Sequence, residues 1–133
     1  MTARHPDWAE CLALFLLARR AQPFAWGTND CCMFAADAVQ AMTGVDHAAE
    51  YRGQYSDAAG AARLLGAGVE PFADRALGER IAWPLARRGD VVLANIEGRR
   101  SLGICDGAYV VGPGDDALMY LPMADVALAA WRV

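Results

Sequence analysis

The chain has 133 residues, 56% hydrophobic and 21% charged, with a net charge of −4. That length fits one domain covering residues 1–133, with apolar content ample for a core and too high for a disordered chain. Acids and bases are interspersed without a basic stripe, which argues against nucleic acid as a partner, and no apolar run approaches the roughly 20 residues of a membrane span.

The elements read in chain order as helices first and strands after. Asp7 to Arg20 sets Trp8, Cys11, Leu12, Phe15 and Ala18 or Arg19 three and four apart, an amphipathic helix entered after Pro6 and stopped by Pro23. Its apolar run Cys11–Ala18 follows the acidic Asp7 and Glu10, and Arg19-Arg20 occupies the place of a cleavage site, so we read a buried helix face and no signal peptide. That reading implies a cytoplasmic protein. A loop, Phe24 to Asn29, ends in helix-capping residues. The next helix, Asp30 to Thr43, carries the stripe Cys31, Phe34, Ala35, Ala38, Val39 and Met42, with Asp37 and Gln40 facing away and Gly44 as its stop.

A third helix is expected from the cap Ser56-Asp57 to Leu65, closed by Gly66, and a short helical piece from Pro71 to Leu77. Strands are expected at Asp90–Ala94, Leu102–Cys105 and Ala108–Val111, separated by Glu97-Gly98 and Asp106-Gly107 turns. Leu118–Leu121 and Val126–Trp131 supply one or two more. The fold class is α+β, N-terminal helices packed on a C-terminal antiparallel meander. The apolar chain end, Trp131 to Val133, reads as a paired or docked strand and a candidate oligomer or partner contact. The pairs Arg19-Arg20, Arg87-Arg88 and Arg99-Arg100 read as solvated surface.

The four cysteines, Cys11, Cys31, Cys32 and Cys105, form neither a disulfide framework nor a metal knuckle, and with two distant histidines no metal or cofactor is expected. Cys31 opens a helix, where unpaired N–H groups and the helix dipole stabilise a thiolate, so it is the candidate nucleophile. A buried structural thiol fits the same position. Asp30 before it is a helix cap, and Trp26, Phe24, Tyr55 and Cys32 are candidate lining residues of a groove beside it.

The segment Trp26 to Phe34 (WGTNDCCMF) resembles the helix opening of the NlpC-like, papain-type cell-wall peptidases, in which the cysteine after the aspartate is the nucleophile. Gly89-Asp90-Val91-Val92 and Ser101-Leu102-Gly103-Ile104-Cys105 resemble two strand motifs of that family in the same order, over roughly Phe24 to Pro113. The chain is also similar to small proteins carried among bacteriophage and prophage tail genes, in its WG-x-x-DC opening, its Arg52-Gly53-Gln54-Tyr55 element and its Ala130 to Val133 ending. The resemblance implies a papain-like core, Cys31 as nucleophile, Asp30 as an orienter at the helix start, and residence in a bacterial host's cytoplasm or in a virion tail. It also implies tail proteins or peptidoglycan peptides as partners. In that register, however, the position of the catalytic base holds Ser101, which is no base near neutrality, and the third polar position holds Val111. His47 lies beyond the end of the Cys31 helix and His5 before the first helix. Three functions follow: a catalytically degenerate tail component, an active cysteine amidase cutting stem peptides, and a module that binds a peptide or partner in the remaining groove.

Overall fold

The computed structural model describes residues 3–66 and 68–133. Four helices come first, α1 (Trp8–Arg19), α2 (Cys31–Thr43), α3 (Ala58–Leu65) and α4 (Val69–Leu77). Six strands follow, β1 (Arg80–Ile81), β2 (Val91–Ile96), β3 (Arg99–Asp106), β4 (Tyr109–Pro113), β5 (Leu118–Pro122) and β6 (Ala127–Trp131), with a 3-10 turn at Trp83–Leu85 and a single helical turn, α5 (Met123–Val126), before β6. The α+β class stands, and the helix caps behave as their residue types demand. Asp57 accepts from the Gly60 N–H at 2.7 Å, and Gly44 closes α2 in the left-handed conformation. Among the described residues no helix is long and apolar enough to cross a membrane.

The meander holds only from β2 to β5. The sheet is antiparallel in the order β1-β6-β2-β3-β4-β5, so β6 returns to lie between β1 and β2. Trp131 faces Arg80 on one side and Val91 on the other and is fully buried. The C-terminal strand is therefore docked inside its own sheet, with both edges used. Burying an indole of this size is worth about 3 kcal/mol, and its Nε1–H donates to Asp74 at 3.0 Å, which removes the penalty for its polar atom.

The strands alternate their side chains between two apolar layers. Val91, Leu93, Leu102, Ile104, Val111 and Trp131 face α2, whereas Val92, Ala94, Cys105, Val110 and Ala130 face a smaller layer closed by Ile81, Trp83, Met123 and Val126. α2 is covered on its other side by α1, where the Phe15 and Phe34 rings meet at 5.3 Å. A helix covered on two sides must be apolar nearly all round, which is why Cys32, Met33 and Ala36 are buried along with the expected stripe.

One buried carboxylate ties the chain's ends to the sheet. Asp90 is 2% exposed and accepts from Arg4 at 2.8 Å, from the Val133 N–H at 3.0 Å and from the Arg87 N–H at 2.9 Å. Among the described residues, every buried side-chain nitrogen and oxygen has a partner.

The β2–β3 hairpin turns on two residues of positive φ, Glu97 at 53° and Gly98 at 81°. A two-residue turn of this hand matches the strand twist but suits asparagine far better than glutamate at its first position. We expect Glu97→Asn to raise unfolding stability by about 0.5–1 kcal/mol, read as a higher urea midpoint at unchanged slope.

Candidate functional site

The loop before α2 is built as a cradle for one carboxylate. Asp30 has extended backbone and is 2% exposed. Its Oδ1 accepts from the Met33 N–H at 3.0 Å, the expected cap, while its Oδ2 accepts from the Gly27 N–H at 2.8 Å and the Tyr55 hydroxyl at 2.5 Å. Gly27 has φ +82°, and a Cβ there would sit 2.2 Å from the Tyr55 carbonyl oxygen, so only glycine fits. Asn29, fully buried, fixes the loop from within by donating to the Pro23 carbonyl at 2.9 Å and accepting from Arg19 at 3.1 Å.

Tyr55 reaches Asp30 because the chain after α2 folds back along that helix. Arg52 anchors the return, bonding Asp37 at 2.5 Å and Asp46 at 2.8 Å and lying 3.9 Å from the Met33 sulfur. Asp37 takes a second guanidinium, Arg19, at 2.5 Å. Asp37, on the side of α2 away from the expected stripe, is half-buried and joins α1, α2 and the return segment. Arg19 is likewise no free surface charge, and Arg88 is paired with Asp106 at 2.9 Å. Both arginines were expected to be solvated.

Cys31 is the first residue of α2 and half-buried, and Cys32 is buried under it at 4% exposure. Hydrogen bonding from the Cys32 thiol pulls the Cys31 thiol below its ordinary value against the opposing pull of burial, and the Leu102 backbone adds in the same direction. The neighbouring Asp30 charge works against it. Cys32 is pushed up, chiefly by donating to Cys31 and by burial. Of the two thiols, Cys31 is the one whose ionisation its surroundings favour, and the helix start acts in the same direction. Burial and the bond to Asp30 push the Tyr55 phenol up, so it keeps its proton and remains a donor.

The other site candidates are brought together only in part. Phe24 and Trp26 stack edge to face at 4.9 Å on the loop before Cys31, and Trp26 is 36% exposed. Ser101 is half-buried on β3, paired with Ala94, whose side chain lies in the smaller layer, so the serine side chain is on the sheet face away from α2. The β3 residue beside Cys31 is Leu102. Val111 is fully buried under α2. Neither histidine shares a hydrogen bond or a lined cleft with Cys31 among the described residues. The His5 N–H donates to the Met42 carbonyl at 2.7 Å, and its ring would lie 3.3 Å from a Cβ on Gly44, at the far end of α2. His47 lies alongside Val39 and Thr43, where it lines a cleft of about 540 Å³ with Leu77, Ile81 and Arg132. From Cys31 to Thr43 the helix spans roughly 18 Å. The fold-back does occur, and it delivers Tyr55, not His47, to the cysteine.

Sequence reasoning missed Asn29, Arg19, Asp37 and Arg52 as builders of this site. The signal was available in one respect: Arg19 and Asp37 are charged residues on helices with apolar stripes, and Arg52 belongs to the same short element as Tyr55. Among the described residues no group of three potential ligands could hold a metal ion.

The chain matches the model of a family described as a domain of unknown function, DUF6950, over residues 3–133, and it belongs to that family. A search of curated proteins gives no match.

The cradle predicts a graded response. Tyr55→Phe removes one donor to a buried carboxylate and is expected to lower stability by about 1.5–3 kcal/mol. Asp30→Ala strands all three donors and uncaps α2, and should lose about 3–5 kcal/mol, with chemical denaturation ranking the two.

Proposed function

We propose that this family member is a papain-like, NlpC-type domain that has lost hydrolysis and serves as a structural or assembly component of a bacteriophage or prophage tail, made in the host cytoplasm and carried into the virion. The observation that carries the loss of hydrolysis is the position of the two imidazoles: His5 lies at the far end of α2, and His47 lies along the side of that helix, bordering openings lined by Ala35, Val39 and Thr43 and not by Cys31. Thiol-dependent amide cleavage needs a group that protonates the departing amine as well as a thiolate that attacks. Among the described residues, the groups placed beside Cys31 include no imidazole, and the Cys32 thiol that donates to it is buried and held protonated. Asp30 is saturated by three donors, Tyr55 is committed to Asp30, and Leu102 is aliphatic. The papain-like reading is supported by a cysteine-opened helix laid on an antiparallel sheet, with the motif-bearing strands β2 and β3 beside it in the order of the resemblance.

The tail reading is supported by where the three shared elements lie. WG-x-x-DC and RG-x-Y contact each other through Gly27, Asp30 and Tyr55, and the Ala130–Val133 ending is locked to Asp74 and Asp90. Residues that make a scaffold are the ones a structural component keeps.

The test is genetic and chemical together. In a lysogen lacking the gene, wild type and Cys31→Ala should both restore tailed, infectious particles, and the purified protein should release no stem peptides from peptidoglycan. Failure of a folded Cys31→Ala to complement, together with peptide release by the wild type, would instead establish the cysteine amidase.

A further inference from the structure

Helix α1 has two apolar sides, although only one is covered. Leu12 and Leu16 face inward against α2, with Phe15 beside them. On the outward side, Leu14 and Leu17 are 58% and 55% exposed and are flanked by the exposed Ala13 and Ala18. A helix on a protein surface ordinarily turns polar residues outward. Here the outward stripe runs Glu10, Leu14, Leu17, Ala21, at steps of four, three and four, which is the spacing of a helix–helix seam.

We propose that this face is the contact of a two-fold homodimer in which α1 packs antiparallel on α1 of a second copy. The charges at its two ends select that partner and that direction. Glu10 lies in the first turn and Arg20 follows the last, both are exposed, and neither joins the ion pairs found among the described residues. With the axis between Leu14 and Leu17, each Leu14 meets the partner's Leu17, and the small Ala13 and Ala18 lie on the two flanks of that seam. Glu10 then comes beside the partner's Arg20, twice by symmetry. Parallel pairing would instead put like charges together at both ends. The face is thus complementary to itself, as an isologous contact requires. The alanines let the axes approach to about 8 Å, and opposed helix dipoles add a further favourable term.

A contact of this length, roughly 18 Å, buries well under the 1,200 Å² or so of standard interfaces, so the dimer is reversible with a micromolar Kd. The dimer does not depend on the tail assignment, and either can fail without the other.

Sedimentation velocity on the full chain from about 1 µM to about 1 mM brackets that affinity. Wild type should pass from monomer to dimer across the range, and Leu17→Glu should dissociate at least about tenfold more readily. Glu10→Arg and Arg20→Glu should each weaken the dimer about threefold, and the double variant should return to within about twofold of wild type. Circular dichroism checks each variant's fold, and because Glu10 and Arg20 are both exposed, the swap pair decides the matter even if Leu17→Glu is damaged. A wild type that stays monomeric throughout, or a double swap no better than the singles, overturns the proposal.

Discussion

The carboxylate of Asp30 is the point on which the rest of the site depends. It is almost wholly buried, and it is tolerable there only because three donors meet it from three segments: the helix it caps, the loop before it and the strip of chain that returns along α2. Each donor needs the others in place. Gly27 must lack a side chain for the Tyr55 backbone to approach, and Tyr55 is held at that height by Arg52 on Asp37. Arg19 then joins Asp37 and Asn29, so α1 enters the same network. Remove the charge at residue 30, and the position of Cys31 is no longer defined.

The same arrangement lowers the Cys31 thiol without bringing it an imidazole, which is the basis of the proposed loss of hydrolysis. Activation here is local. It comes from the start of a helix, a neighbouring thiol and a backbone contact from β3. Turnover is not local, because it needs a proton carrier brought in from another element; of the neighbours from other elements, Leu102 is aliphatic and the Tyr55 phenol is bonded to Asp30. The polar equipment of the chain is spent on holding the loop, not on serving the sulfur.

Much of this was legible along the chain wherever the cause was short-range. Asp30 and Asp57 cap the helices they precede, Gly44 closes α2, and the β2–β3 hairpin turns at Glu97-Gly98, whereas the β3–β4 turn falls one residue later than expected, at Gly107-Ala108, because Asp106 pairs with Tyr109. What could not be read depends on contacts distant in sequence. The two-residue strand β1 exists only because β6 returns beside it, and β6 returns because Trp131 finds cover between β1 and β2. The periodicity of α1 showed an inward stripe, but the outward leucines are equally apolar, and only the packing reveals which side is bare. Asp37 reads only as a residue facing away from the α2 stripe, because its two arginines lie 18 and 15 positions away. In the sequence, Tyr55 reads as an aromatic candidate for lining a groove. Its hydroxyl matters more than its ring.

The central claim is that Cys31 is activated by its immediate surroundings with no imidazole partner. The most direct measurement follows thiolate absorbance and alkylation rate against pH in wild type, Cys31→Ser, His5→Gln and His47→Gln. A single transition below the ordinary thiol value of about 8.5, lost in Cys31→Ser and unchanged in both histidine variants, is the predicted result. A second inflection that disappears with either histidine would reveal a thiolate–imidazolium pair and contradict the account.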